Sequence, residues 1–362
     1  MATANHIQIR DINFGGIADS DYVGSKNSVA ELIGLDVHSE PGVIKLNQAL
    51  SEVDTSAAAI DQKITAIVAA SNGTTYFFGA SGKIWKITSG TWSLVRTASP
   101  AAGTAGILSA REYQGKIYYA MQSRLGQFDM ASTWNDNFAT FGVTDTAYHP
   151  MEEVNLVLYI GDGNQVAQVD GVTFSANALD LSAPHRVSAL GILGTDLLIG
   201  TYVSSNVVAT AVFRWNTWSD SFSVSDPIPE VGIYAFLKTD NIIMVAAGTK
   251  GNIYTYNGTT LNLEKTIKGN WSSTNKATVW VNAVLNFHGK PLFGLSQSIG
   301  TGVNLGVYSF ARTNASYPYV LALEYPISTG NLTGIQVNAM AGNGDTFYVS
   351  WYDSADGGSY GI

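Results

Sequence analysis

The chain has 362 residues, 46% of them hydrophobic and only 13% charged, with 37 glycines, no cysteine and a formal net charge of −9. The missing cysteines exclude disulfides, thiolate metal sites, iron–sulfur clusters and cysteine nucleophiles, so stability has to come from core burial and closure of the fold. The negative charge, with no cluster of Lys or Arg, argues against nucleic acid as a partner, because phosphate neutralisation needs clustered cations.

A long-helix protein would carry far more Glu, Lys and Arg on its solvated faces. Low charge and high glycine suit many short strands joined by tight turns. The low charge also suggests a surface covered in part by partners, or solvated by Ser, Thr and Asn. The opening MATANHIQIRDINFGG has no apolar core of signal-peptide length. No run of about 18 apolar residues occurs, so no membrane insertion is expected. Asn-x-Ser/Thr triplets at Asn72, Asn257, Asn270, Asn314 and Asn331 read as polar turns.

In chain order, residues 1–40 form an irregular arm rich in Gly, Asp and Ser, with one short helical candidate at Asn27–Leu35. The arm is expected to order against a neighbouring subunit or to wrap its own domain. Residues 41–362 are expected to be a β-propeller. Within them, 41–52, containing Gly42-Val-Ile-Lys-Leu-Asn-Gln-Ala-Leu50, is the strand expected to pair with the C-terminal blade and close the ring.

A hairpin then repeats seven times. Its copies begin at Thr75-Tyr-Phe-Phe-Gly79, Lys116-Ile-Tyr-Tyr-Ala120, Leu156-Val-Leu-Tyr-Ile160, Asp196-Leu-Leu-Ile-Gly200, Ile242-Ile-Met-Val-Ala246, Lys290-Pro-Leu-Phe-Gly294 and Thr346-Phe-Tyr-Val-Ser350. The equivalent residues Phe78, Tyr119, Tyr159, Ile199, Val245, Phe293 and Val349 lie 41, 40, 40, 46, 48 and 56 positions apart. A period of about 40 to 50 residues with several strands in each is the signature of propeller blades. Sandwich strands rarely keep so regular a period. Small-residue apolar strands precede the hairpins, as at Ile67-Val-Ala-Ala70 and Val281-Asn-Ala-Val-Leu285, and suit a crowded innermost position. The expectation is an all-β propeller of about seven blades, the last lacking its outer strand.

Chemistry is sparse. His6, His38, His149, His185 and His288 have no paired metal spacing and read as loop or rim residues. Gly161-Asp-Gly163 is a hairpin turn, not a phosphate loop. The adjacent carboxylates Glu152 and Glu153 could serve glycoside hydrolysis, although an acidic loop is the commoner origin of such a pair. No catalytic residue, cofactor or metal is expected, and the chain reads as a non-enzyme. Aromatic residues near turns, Trp134, Trp215, Trp218, Trp271 and Tyr317, either pack between blades or stand out to stack on sugars and anchor partners. With Phe14 and Tyr22 of the arm, Trp134, Trp218, Trp271 and Tyr317 are the candidate partner-binding residues.

Two resemblances add to this. Ser354-Ala-Asp-Gly-Gly-Ser-Tyr360 resembles the Asp-box of sialidases and related propellers, a structural hairpin, with Tyr360 where Trp is usual. The stretch Phe14-Gly-Gly-Ile-Ala-Asp-Ser-Asp-Tyr-Val-Gly24, continuing through Ser28–Asp36 to His38-Ser-Glu-Pro-Gly-Val-Ile-Lys-Leu-Asn47, resembles the opening of a group of uncharacterised phage structural proteins. That resemblance covers about the first 50 residues and carries no catalytic motif. It implies a virion component of the tail or surface, whose partners are copies of itself and other virion proteins. A receptor-binding propeller that recognises host surface glycan is the alternative, and a glycan-degrading enzyme a third reading.

Overall fold

The computed structural model describes residues 35–36, 45–46, 50, 63–88, 91–101, 106–143, 147–203, 209–239, 242–267, 279–297, 306–311, 320–327, 335–353 and 360–361. They form six antiparallel sheets of four strands, each a meander in which every strand pairs with the next in sequence. The first blade is Ile64–Ala69, Thr75–Gly79, Lys83–Thr88 and Thr91–Thr97. The second is Ile107–Tyr113, Lys116–Met121, Arg124–Phe128 and Trp134–Thr140, and the third Met151–Val154, Val157–Asp162, Gln165–Asp170 and Thr173–Asp180. The fourth is Arg186–Leu193, Asp196–Tyr202, Thr210–Trp215 and Val224–Ile228. The fifth is Ile233–Lys238, Ile243–Ala247, Asn252–Tyr256 and Leu261–Thr266, and the sixth Val279–Phe287, Lys290–Gln297, Gly306–Ala311 and Val320–Pro326. A further sheet has three strands, Ile335–Asn343, Thr346–Asp353 and Tyr360–Gly361. The first strand of each sheet lies beside the first strand of the next, and the three-stranded sheet sits between the sixth blade and the first. The fold is a β-propeller.

Two expectations are corrected. The count of about seven blades becomes six complete blades, with the three-stranded sheet in the remaining place. Ring closure by residues 41–52 is also not what the described residues form. Lys45–Leu46 pairs with Leu35–Asp36, a two-residue hairpin beside the outer strand of the sixth blade. Leu35, the last residue of the helical candidate, is therefore in a strand, and the rest of that candidate lies outside the described residues. The physical reason is that sheets packed face to face need no exchanged strand. Ile64, Ile67, Phe77 and Trp85 of the first blade bury against Ala339 and Ala341 of the three-stranded sheet. Ser350 Oγ donates to Ile64 O at 3.2 Å, and Asn343 Nδ2 to Thr75 Oγ1 at 2.9 Å, across the same seam.

Burial is greatest in the second strand of a blade and falls toward the outer one. The second strands Thr75–Gly79 and Ile243–Ala247 are buried at every position, because neighbouring blades cover both faces; the outer strand Thr91–Thr97 is mostly exposed or half-buried. This explains why second strands read as unbroken apolar runs. Within the seams a local pattern recurs. A β-branched residue, then any residue, then a small one marks a bulge in the first strand at Ile64-Thr-Ala66, Ile107-Leu-Ser109, Val187-Ser-Ala189, Ile233-Tyr-Ala235, Val281-Asn-Ala283 and Val337-Asn-Ala339. A bulge leaves a carbonyl unpaired, and at Ile64, Ile107, Ile233 and Val337 a hydroxyl of the preceding sheet supplies its hydrogen bond. Thr65 Oγ1 donates to Ile107 O at 2.6 Å, Ser188 Oγ to Ile233 O at 2.6 Å and Ser296 Oγ to Val337 O at 3.3 Å; Ser109 donates likewise to His149 O.

The same β-branched side chains wedge onto glycines of the preceding second strand. A Cβ added at Gly161, Gly200 or Gly294 would stand 2.6, 2.6 or 2.4 Å from Val187, Ile233 or Val337. His149, expected at a rim, is instead 1% exposed, stacked on Phe141 and held by Gly161 O at 2.7 Å. The Arg96–Asp136 pair ties the outer strands of the first two blades, and Asp136 also accepts from Tyr119 Oη at 2.5 Å and Ser99 N at 2.9 Å. Burial acts to raise the Asp136 carboxyl; the bonds from Arg96, Tyr119 and Ser99 and the Arg96 charge outweigh it and hold the group below the ordinary carboxylate value.

Gly294→Ala is expected to cost about 1–3 kcal/mol by overpacking, and Val337→Ala in the same chain to recover part of that loss. Urea denaturation of the two single variants and the double variant measures the coupling, and strictly additive effects would refute the wedge. Asp136 has a depressed folded pKa, so its stabilisation is present above the unfolded value and lost as pH falls through the folded one. Asp136→Asn is expected to destabilise the protein at pH 7 by about 2 kcal/mol and to flatten the loss of stability below about pH 4, read from melts across pH.

Candidate functional site

A meander places its first-to-second and third-to-fourth turns at one end of the propeller. On that end, three large apolar side chains stand out: Trp218 is 84% exposed, Val172 78% and Leu156 73%. Hydrogen bonds between their turns hold them side by side. Asn155 Nδ2 donates to Thr217 Oγ1 at 3.2 Å and to Thr195 O at 3.1 Å. Tyr113 Oη donates to Leu156 O at 2.7 Å and accepts from Gly171 N at 3.2 Å. Leu156, Trp218 and Val172 thus belong to one patch across the third and fourth blades, braced by the second.

The Trp218 turn is rigid for a local reason. Asn216 Oδ1 accepts from the backbone N–H of Trp218 at 3.0 Å and Ser219 at 3.1 Å, while buried Trp215 donates its indole N–H to Ser219 O at 2.8 Å. The same device follows Phe128 and Tyr256. Asp129 accepts from Ala131, Ser132 and Thr133, and Asn257 from Thr259 and Thr260. The Asp129 carboxyl is pulled well below its ordinary value by these backbone bonds, that from Thr133 first. An aromatic residue followed by Asp or Asn is the sequence signal of this turn.

Leu156 is anomalous. The equivalent turns of the second and sixth blades are Gln114–Gly115 (φ 47° and 72°) and His288–Gly289 (φ 51° and 78°). In the third blade Asn155 and Leu156 take φ 53° and 64°, so leucine stands where the turn favours glycine. It is both strained and exposed, with no packing to offset either cost.

The opposite end is the mouth where first strands begin. The residues just before the bulged or carbonyl-accepting positions are, in ring order, Lys63, Gly106, Tyr148, Arg186, Gly232, Trp280 and Gln336. Tyr148 approaches Tyr202 with ring centroids 6.4 Å apart. Burial pushes the neighbouring Tyr234 hydroxyl up, with Tyr148, Tyr202 and Glu230 adding to it. Glu230 accepts from Asn252 Nδ2 at 2.5 Å and Tyr254 Oη at 2.8 Å. The adjacent carboxylates Glu152 and Glu153 lie in the first strand of the third blade, where Glu152 pairs with Arg111 at 2.5 Å and burial raises its carboxyl despite that pairing.

Among the candidate residues, Trp218 is exposed as described. Trp134 lies in the outer strand of the second blade, stacked on Phe128 with centroids 3.7 Å apart and planes at 8°, and with Arg96 5.6 Å from its ring. Phe14, Tyr22, Trp271 and Tyr317 lie outside the described residues, as does Ser354–Ser359 of the Asp-box-like segment; Tyr360–Gly361 pairs with Trp351 and Tyr352. Sequence reasoning missed Leu156 and Val172, since an isolated exposed aliphatic residue leaves no pattern. Its one signal was Asn-Leu where two sister turns end in glycine. Among the described residues no group of three or more metal-ligating side chains occurs.

No family model and no curated protein matches the chain. Solved structures do. The WD40 propeller domain of Doa1 is similar over 86% of this chain and 93% of its own, at 12% identity and a TM-score of 0.57. The WD40 repeats of RRP9 are similar over 81% and 87%, at 12% identity and a TM-score of 0.60. The propeller domain of Cps50 (Swd1) from Myceliophteria thermophila is similar over 87% and 99%, at 12% identity and a TM-score of 0.55. At such identities the likeness establishes the propeller fold and nothing finer.

Leu156→Gly is expected to raise stability by about 1 kcal/mol by relieving the left-handed leucine. A denaturation midpoint at or below that of the unaltered chain would show that the turn is unstrained.

Proposed function

We propose that this chain is a non-catalytic propeller that works by holding partners: a phage virion structural protein, tail- or surface-associated, that mediates subunit assembly. The observation that carries the reading is the Leu156–Val172–Trp218 patch, apolar, exposed and braced by hydrogen bonds. Rigid, exposed aromatic and aliphatic side chains are what binding surfaces use as anchors, since little side-chain entropy is lost on docking. Strain kept at Leu156 fits a residue retained for contact and not for stability. The resemblance of the first 50 residues to phage structural proteins supports the virion assignment, and residues 1–40 are the proposed inter-subunit arm. The positions of Glu152 on Arg111 and of Glu230 on Asn252 and Tyr254 favour structural roles for these carboxylates over glycan cleavage.

Light scattering on the full chain tests this. Assemblies well above the 38.5 kDa of one chain are expected. Trp218→Ala combined with Leu156→Gly should weaken association about tenfold or more, as for loss of a binding hot spot, and removal of residues 1–40 should abolish it while the propeller stays folded. A monomer at every concentration, alone and with the other proteins of the particle, would overturn the assembly reading.

A further inference from the structure

Four cations of the described surface have carboxylate partners: Arg96 has Asp136, Arg111 has Glu152, Arg214 has Asp196 and Lys290 has Glu324. Lys63 combines burial with the lack of such a partner. It opens the first strand of the first blade, at the seam with the three-stranded sheet. Its ammonium donates to Gln336 Oε1 at 3.0 Å and lies 5.8 Å from the Tyr352 ring centroid, within cation–π range. No described carboxylate lies within ion-pair distance of it. An ammonium has three N–H donors, and the amide takes one. Half-burial makes the missing counter-charge costly, and it depresses the Lys63 pKa through desolvation.

The surroundings indicate what would complete it. Register puts Lys63, Gln336 and Trp280 at equivalent positions of three consecutive sheets, so all three stand at the mouth. Trp280 is half-buried, and Tyr148, Tyr202 and Tyr234 continue the aromatic border on the third to fifth blades. A cation with spare donors beside an amide and an indole matches a sugar that bears a carboxylate. The acid would meet the ammonium, a hydroxyl the Gln336 amide, and the ring's C–H face the indole.

We infer that the mouth of the propeller holds an acidic sugar, with Lys63 as the seat of its carboxylate, Gln336 as a hydroxyl partner and Trp280 as the stacking platform. This site is at the opposite end from Trp218, so its failure would leave the assembly reading untouched.

The probe is D-glucuronate, followed by saturation-transfer NMR and calorimetry on the full chain, with D-glucose and acetate as controls. Glucuronate should bind saturably and more tightly than either control. Lys63→Gln should weaken it about tenfold, the scale of one charge-assisted hydrogen bond, while Lys63→Arg retains most of the affinity. Trp280→Ala should weaken glucuronate and leave acetate unchanged. Equal binding of glucuronate and glucose, or an unaltered affinity in Lys63→Gln, would overturn the proposal; acetate binding as tightly as glucuronate would overturn the sugar assignment. If Lys63→Gln fails to fold, the Lys63 ε-carbon resonance of the unaltered chain becomes the readout. It should shift on adding glucuronate and not on adding glucose, and a resonance that glucuronate leaves in place would count against the site.

Discussion

The hydroxyl-to-carbonyl bond that passes from one sheet to the next is the interaction on which the ring rests. Strands within a blade satisfy their own backbone groups, but a bulge leaves a carbonyl facing the seam, away from water. A Ser or Thr of the neighbouring sheet meets it at Ile64, Ile107, Ile233 and Val337, and Ser109 makes the same bond to His149 O ahead of the third blade's first strand. The bond is directional, so it sets the height of one sheet against the next. The β-branched residue at the bulge then fills the space above a small residue opposite. Hydrogen bonding supplies register and packing supplies adhesion, from the same three residues of sequence.

With register set at the centre, the two ends are free to vary. One carries hydrogen-bonded turns that hold apolar tips apart from any core; the other carries a border of aromatic and cationic groups. Both ends add bonds across seams, Asn155 to Thr217 at one and Lys63 to Gln336 at the other, while the outer strands stay mostly exposed or half-buried and contribute little to burial. A propeller of this kind separates the residues that make it fold from those available for recognition, and the Leu156 turn, where stability is given up locally, lies on the second side of that division.

How far the sequence discloses this depends on the range of the interaction. The hairpins were legible because both strands of each pair sit within a few residues and the period recurs. The bulge triplets, Ile-Thr-Ala or Val-Asn-Ala, were present in the same strands, but their partner lies one sheet away and only the assembled ring gives them meaning. His149 was unreadable for the same reason: its ring binds Gly161 O and stacks on Phe141, neither of which its own neighbours in sequence suggest. Trp218 was found because tryptophan beside a turn is conspicuous. Leu156 and Lys63 were not, because exposure of a leucine and lack of a counter-ion are properties of a surface. The blade count failed at the C-terminal sheet, where two inner strands repeat the pattern and the third is only two residues long.

The seam between the first blade and the three-stranded sheet has a kinetic consequence. Within blades, contacts form between strands a few residues apart, so each meander can zip up as a local unit. The bonds of the last seam, Ser350 to Ile64 and Asn343 to Thr75, join residues 286 and 268 positions apart. Closing a loop of that length carries the largest entropic penalty in the molecule. Formation of that seam therefore waits on the distant ends of the chain meeting. The molecule is a chain of local meanders whose ring is completed by one clasp between residues far apart in sequence.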